Sequence, residues 1–169
     1  MGSSPDPSLI VFCWGNESRG DDGIGPLLAR SLRALDLDEL VIIEDHQLNI
    51  EHVMDFRDMT PVLFIDASVA IDASCRLEGL EPREDGNFST HAISPGALLN
   101  VYRKTAAKPL PPAYLLHVAA REFELGEGLG DTARAASDDA FRLLQSMLVD
   151  DPSYWATFLE QASGDDSAV

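Results

Sequence analysis

Residues 9–25 read LIVFCWGNESRGDDGIG, and the pattern of this stretch predicts how the chain begins to fold. The run at 9–14 is continuously apolar, which is typical of a central strand that is buried on both faces. A polar turn follows from Gly15. From Ile24 the apolar positions recur at helical spacing, and Pro26 falls in the first turn, where its missing N–H costs nothing. A strand, a tight loop and a helix in that order predict a βαβ unit.

Further apolar runs extend this pattern along the chain. LVIIED (40–45) and PVLFIDA (61–67) are predicted as buried strands, with a helical segment at about 50–57 between them. CRLEGLEP (75–82) alternates and has no helix before it, which predicts an antiparallel edge strand. AYLLHVAA (113–120) is the last strand. The predicted fold is therefore a three-layer α/β sandwich. Its mostly parallel, twisted sheet has about five strands with one antiparallel edge strand, and helices cover both faces.

Three helices are predicted in the second half of the chain. Ser94 can cap a helix that Pro95 starts and that runs to about Thr105. Asp131 is placed to cap a long helix, and a short helix can open at Pro152. The apolar face of the long helix comprises Ala136, Ala140, Leu143, Leu144 and Met147.

Length and composition indicate one domain. The chain has 169 residues, of which 45% are hydrophobic, enough to bury a core of ordinary size. We predict a disordered N-terminal segment at 1–8, a single α/β domain at 9–162 and a frayed tail at 163–169.

Charge and hydropathy narrow the classes of partner. Twelve basic against 29 acidic residues give a formal net charge of −17, which disfavours nucleic acid and anionic lipid. No run approaches the roughly 18 apolar residues of a membrane helix, and the start MGSSPDPS lacks the features of a signal peptide. Cys13 and Cys75 lie in apolar stretches, as expected of buried thiols rather than a disulfide framework. These features predict a cytoplasmic protein.

The carboxyl ends of the predicted parallel strands are where a ligand site is expected, because loops converge there and helix N-termini point outward. Polar side chains follow each of the first three strands. They are Asn16, Glu17, Asp21 and Asp22 after the first strand, Asp45, His46 and Gln47 after the second, and Asp66 at the end of the third.

The acids at these strand ends have two interpretations. The loop GNESRGDDGIG resembles a phosphate cradle, but its acids repel phosphate and it has no Lys followed by Ser or Thr. Asp21 and Asp22 can complement a helix N-terminus, or they can hold a cation. Asp66 ends a hydrophobic strand, so its burial is costly unless it meets a cation or donors, although it can also cap the following turn.

The four histidines differ in their expected roles. His117 lies in an apolar strand and is predicted to be a core or supporting residue, whereas His52 is predicted to be solvated on a helical surface. His46 can line a cleft. His91 lies in the polar segment NFSTH and has no evident core role. His91 would combine with Asp22 and Asp66 into two oxygens and one nitrogen, a donor set that suits a divalent ion with open positions.

Four segments carry a resemblance to a known family. They are FCWGNESRGDDGIGPLLARSL (12–32), VIIEDHQLNIEHVMDF (41–56), FIDAS (64–68) and STHAISPGALL (89–99). In this order they resemble the hydrogenase maturation endopeptidases. The stretch DHQLNIEH departs from the family, since many members have a Gly-rich segment there, and this difference leaves the exact target open.

The resemblance implies an aspartic-type endopeptidase that removes the C-terminal extension of a nickel-iron hydrogenase large-subunit precursor after nickel insertion. It implies a metal held by Asp22, Asp66 and His91. The metal is expected to be nickel supplied by the precursor, with zinc or cadmium as substitutes. We also assign a catalytic role to Asp22 and Asp66, with Glu17 or Asp21 as a proton carrier. The expected partner is the precursor, and the protein is expected to be a monomer.

Two other functions stay open from the sequence. A non-catalytic chaperone of the same fold could bind the precursor or the metal without cleaving. A nucleotide- or flavin-binding domain has similar topology, but the acids of the first loop disfavour it.

Overall fold

The computed structural model describes residues 7–84 and 92–150, and its centre is a five-stranded sheet in the order β2-β1-β3-β5-β4. β1 pairs in parallel with β2 and β3, and β3 pairs in parallel with β5. β4 pairs antiparallel with β5 at one edge. The predicted α/β class and the antiparallel edge strand are confirmed. The strands are β1 Leu9–Trp14, β2 Leu40–Asp45, β3 Val62–Ser68, β4 Cys75–Gly79 and β5 Ala113–Ala119.

Helices lie on both faces of this sheet. The α-helices are α1 Ile24–Arg33, α2 Pro95–Thr105 and α3 Asp131–Gln145. Short 3-10 helices span Gly20–Gly23 and Ile50–Asp55, and a π-turn at Ser146–Asp150 extends α3. The Ser94 hydroxyl accepts the Ala97 N–H at 3.2 Å, which confirms the predicted cap of α2.

Two hydrophobic cores follow from the alternation of side chains along the strands. One face of β1 and β3 contributes Val11 and Leu63 to a core with α1 and α3. The opposite face contributes Phe12 and Phe64, whose rings stack at 5.0 Å, to a core with α2. Three layers result, and both faces of the central strands are buried, as their continuous apolar runs require.

The structure corrects three local predictions. β2 is an edge strand and only half-buried, since it has a neighbour on one side alone. The segment after it forms a 3-10 helix that ends at Asp55, and its His52 is buried, with Nδ1 accepting the Asn49 N–H at 3.0 Å. Asp131 is the first residue of α3, and its side chain does not cap the helix, because Gly130 holds the N-cap position.

Several predictions lie outside the described residues. They are the disorder of 1–6, the position of His91, the helix at Pro152 and the frayed tail. Ser8 is described, and its N–H donates to the Glu39 carbonyl at 2.8 Å. Within 7–84 and 92–150, no helix combines the length and the apolar content needed to cross a bilayer.

The two cysteines are free thiols, as the sequence predicts. Cys13 is buried in β1, and burial raises the pKa of its thiol to about 12. Cys75 is half-buried in β4, and burial raises the pKa of its thiol as well. Both are therefore protonated packing residues at neutral pH.

Candidate metal and catalytic site

The loop after β1 holds Asp22 at the carboxyl edge of the sheet. The Asn16 N–H donates to Asp22 Oδ2 at 2.9 Å, and the Asn16 side-chain oxygen accepts the Ser18 N–H at 2.9 Å. Gly15 makes this turn possible, because its φ is +141° and a Cβ there would lie 1.9 Å from the Asp22 carbonyl oxygen. The Asp22 carboxylate is thus fixed by backbone geometry.

Asp66 brings a second carboxylate to the same edge. It lies near the end of β3, and no described residue donates a hydrogen bond to its carboxylate. The pKa of Asp66 is raised to about 6, chiefly by burial; His117 lowers the pKa and the nearby Asp22 raises it. The charges of Asp22 and Asp66 therefore interact, and this repulsion disfavours ionisation of Asp66.

His117 of β5 is the neighbour of Asp66 in the parallel ladder. Its Nε2 lies 3.0 Å from Glu78 Oε1, and Glu78 Oε2 lies 3.4 Å from Arg76 Nε. Its Nδ1 is buried without a hydrogen-bond partner, and no other side-chain polar atom in the described part of the chain is in that state. The sequence suggested only a core or supporting role, because the pairing of β3 with β5 cannot be read from either strand alone.

Two polar groups in this part of the sheet are without hydrogen-bond partners among the described residues. They are the Asp66 carboxylate and His117 Nδ1, and both are of a kind that can bind a cation. Within 7–84 and 92–150, no three acidic, His or Cys side chains lie close enough to hold one ion. The predicted third ligand, His91, lies outside the described residues, so the structure brings together two members of the predicted set.

Asp21 has a structural role that its neighbour Asp22 does not share. It is fully buried, and its Oδ2 accepts the N–H groups of Arg121 at 2.7 Å and Glu122 at 2.8 Å. Its Oδ1 accepts the Gly130 N–H at 2.8 Å. Both oxygens are occupied by backbone donors, so neither is available for proton transfer. This geometry argues against the assignment of Asp21 as a proton carrier.

A cleft of about 460 Å³ opens at the carboxyl ends of β1 and β2. Glu17 lies at this cleft and is exposed, and it forms an ion pair with Arg30 of α1. His46 lines the cleft, as the sequence suggested, whereas Gln47 does not. The lining residues are Gly15, Asn16, Glu17, Ser18, Pro26, Arg33, Glu44, Asp45 and His46. Asp22 is not among them, but Asn16 joins the cleft to Asp22 through its backbone N–H.

Comparison of the sequence with protein-family models and with curated proteins finds no match. Comparison of the structure finds the NiFe hydrogenase maturation protease HycI from Thermococcus kodakarensis, with a TM-score of 0.66 and 19% identity, covering 86% of this chain and 94% of that one. The hydrogenase maturating endopeptidase HybD from Escherichia coli gives a TM-score of 0.63 and 19% identity, covering 84% and 92%. This chain has the maturation-endopeptidase fold.

A third similar structure is the hydrogenase 2 maturation peptidase from a Thaumarchaeota archaeon, with a TM-score of 0.60 and 21% identity, covering 83% of this chain and 97% of that one. Each of these structures covers more than four fifths of this chain, which is more than residues 12–99, the region that carries the resemblance in the sequence. The maturation-endopeptidase fold therefore also includes part of the chain outside those segments.

Proposed function

We propose that this chain is an endopeptidase that removes the C-terminal extension of a nickel-iron hydrogenase large-subunit precursor after nickel insertion. The observation that carries the proposal is the approach of Asp22 and Asp66 at the carboxyl edge of the sheet, where no described residue donates a hydrogen bond to Asp66. The shared fold with solved hydrogenase maturation endopeptidases supports the same function.

In this proposal Asp22, Asp66 and His91 are the ligands of the cation. Nickel arrives with the precursor and is therefore part of the substrate, and zinc or cadmium can take its place in the free protein. Ile93, two residues after His91, donates its N–H to the Leu48 carbonyl at 3.1 Å and packs against the core on the α2 face.

The cation, when bound, would polarise the scissile carbonyl or a water molecule. Asp22 and Asp66 would orient the cation, and the cleft at the carboxyl ends of β1 and β2 would receive the peptide. Of the two carboxylates considered as proton carriers, we retain Glu17, because it is exposed at the cleft. Its ion pair with Arg30 is exposed on both sides and is therefore weak, so the carboxylate is free to change partners.

The proposal includes a cytoplasmic monomer whose partner is the precursor. Neither nucleic acid nor a membrane is needed, in keeping with the net charge of −17. The edge strand β2 ends at the cleft, and His46, which follows it, lines the cleft. In this proposal, the residues after β2 contribute to the choice of precursor.

The test is to incubate nickel-loaded and nickel-free large-subunit precursors with the protein and to weigh the products by mass spectrometry. We expect the nickel-loaded precursor alone to be shortened, and we expect Asp22→Ala, Asp66→Ala and His91→Ala to abolish cleavage. Glu39→Ala is the control, because Glu39 is an exposed acid that precedes β2, at the end of the strand opposite to the site.

Equal shortening of both precursors would contradict a role for the metal in recognition. If the wild-type protein bound the precursor without shortening it, the non-catalytic chaperone would be the correct function.

A further inference from the structure

A buried histidine lies behind one wall of the cleft. The His52 side chain is only 9% exposed, and its ring meets the ring of Phe12 edge-on at 5.9 Å, in the core on the α2 face. His52 does not line the cleft, but it reaches Asp45, which does. A buried polar side chain is normally held by specific hydrogen bonds, so the partners of this ring indicate its role.

The neighbours of the His52 ring determine which of its nitrogens carries the hydrogen. Nδ1 lies 3.0 Å from the Asn49 backbone nitrogen, whose N–H needs an acceptor. Nε2 faces Asp45 Oδ2 at 3.5 Å, and a carboxylate attracts an N–H rather than a lone pair. Both neighbours are satisfied when Nδ1 accepts and Nε2 carries the hydrogen. The ring therefore connects the backbone of Asn49 to the carboxylate of Asp45.

The Asp45 carboxylate is held from three directions. Its Oδ1 accepts the His46 N–H at 2.6 Å, and its Oδ2 accepts the Asn49 side-chain N–H at 3.3 Å and faces the His52 ring. The side chain is nevertheless 45% exposed. A carboxylate has about four acceptor positions, so at least one stays available to a donor in the cleft.

The turn at residues 45–49 is anchored on both sides. The Asp45 carbonyl accepts the Gly15 N–H at 3.2 Å, which ties the turn to the loop after β1. Leu48 is buried, and its carbonyl accepts the Ile93 N–H at 3.1 Å. Asn49 caps the 3-10 helix that follows, since its Oδ1 accepts the Glu51 N–H at 3.0 Å. A wall fixed in this way has little freedom left to lose when a peptide binds.

We propose that His52 is a positioning residue for precursor binding: acting through Asp45, it fixes a carboxylate at the cleft, and a hydrogen-bond donor of the bound peptide pairs with that carboxylate. This inference rests on the proposed function, since it concerns the cleft that receives the peptide. His52 itself contacts no substrate. Its effect is therefore on the affinity for the precursor rather than on the rate of the bond-breaking step.

The experiment measures kcat and KM for cleavage of the nickel-loaded precursor. His52→Asn keeps an acceptor near the Nδ1 position for the Asn49 N–H and removes the group that faces Asp45. We expect KM to rise about tenfold, the size of effect typical within one hydrogen-bond network. We expect kcat to stay within about twofold, because the lost interaction serves ground state and transition state alike. An unchanged KM, or a loss confined to kcat, would overturn the positioning role.

Ser137→Ala is the matched control for loss of a buried polar side chain. The Ser137 hydroxyl is buried in α3, on the opposite face of the sheet, and donates to the Ala133 carbonyl at 2.7 Å. We expect wild-type kcat and KM for this variant. A rise in KM equal to that of His52→Asn would show that general destabilisation is the cause, and the positioning role would be wrong.

A double-mutant cycle tests whether His52 acts through Asp45. Asp45→Asn should itself raise KM, because it weakens the acceptor offered to the peptide. Adding His52→Asn to Asp45→Asn should raise KM by less than about twofold more, since changes within one network are not additive. If the two effects multiplied fully, His52 would act independently of Asp45 and the inference would be refuted.

The ring nitrogens of the wild-type protein supply a test that does not depend on any variant. Nitrogen chemical shifts of histidine labelled with ¹⁵N distinguish the two neutral forms of each ring, at a pH where the ring is neutral. We expect the hydrogen of His52 on Nε2. A hydrogen on Nδ1 would turn a lone pair toward Asp45 and would contradict the proposed contact.

Direct measurement of precursor binding by calorimetry separates this inference from the proposed function. If the wild-type protein cleaves and His52→Asn has wild-type KM and Kd, only the positioning role is refuted. If the wild-type protein binds the precursor without shortening it, the endopeptidase function is refuted, and a Kd about tenfold higher in His52→Asn would still support the positioning role. If the wild-type protein binds no precursor, both are refuted.

Discussion

Asp66 is a single carboxylate whose properties depend on its surroundings. In β3 it follows Val, Leu, Phe and Ile side chains, and its pKa is raised from the usual 3.8 to about 6, chiefly by burial. The ionised form is thus unfavourable in the folded protein unless a cation is present. The sequence VLFID predicts that this acid needs a partner, but not which partner.

This raised pKa predicts a pH dependence of stability. Between pH 4 and pH 6 the folded state binds more protons at Asp66 than the unfolded state, so the free energy of unfolding falls as the pH rises through this window. The loss contributed by Asp66 is at most about 3 kcal/mol, at 1.36 kcal/mol per pKa unit. Urea denaturation from pH 4 to pH 7, with a chelator present, measures it.

Asp66→Asn is the control for this prediction, because every other acid is common to both proteins. The difference in unfolding free energy between variant and wild type should grow in favour of the variant as the pH rises from 4 to 6. Parallel curves over this range would contradict the assigned pKa.

The element that positions the site is the connection from β1 to α1. Helix α1 begins directly under the end of the strand, and Gly25 makes the contact possible, since a Cβ there would lie 2.0 Å from the Trp14 carbonyl oxygen. The sequence predicts both elements from periodicity alone. It does not predict this contact, because a glycine in a loop-to-helix junction is equally compatible with a simple turn.

Gly25→Ala should therefore be strongly destabilising. Its methyl group would meet backbone rather than a movable side chain, so α1 must shift, and we expect a loss of about 3 kcal/mol in the free energy of unfolding. Gly128→Ala is the matched control, because nothing lies within 4 Å of its Cβ, and its change should stay within about 0.5 kcal/mol. Equal urea midpoints for the two variants would contradict the close contact.

At the scale of the whole molecule, Asp21 joins the loop after β1 to the segment between β5 and α3. Its three backbone donors lie 100 to 109 residues away. The Asp21 N–H completes the junction by donating to the Glu122 carbonyl at 2.7 Å. This junction stabilises the loop that carries Asp22, so one acid supports the position of the next.

Asp21→Asn and Asp22→Asn should consequently affect different properties: the first should lower stability, and the second should lower metal binding and cleavage. An amide at position 21 leaves buried N–H groups without an acceptor, and we expect a loss of about 2–4 kcal/mol in the free energy of unfolding. An amide at position 22 can still accept the Asn16 N–H, so we expect a change under about 1 kcal/mol but a loss of Co²⁺ binding and of cleavage. Urea denaturation and Co²⁺ titration of both variants test this contrast. If Asp22→Asn lost the stability and Asp21→Asn the metal, the two roles would be reversed.

The sequence by itself determined the strands and α-helices of this protein and the end of the sheet at which Asp22 and Asp66 lie. Periodicity reports whether a segment is strand or helix, and the ends of parallel strands share one edge, so Asp22 and Asp66 could be placed together in advance. Only the tertiary structure decided that Asp21 faces inward, that β2 lies at an edge and that His117 stands beside Asp66. Those outcomes depend on strand order and on contacts between distant residues, and local patterns carry no information about either.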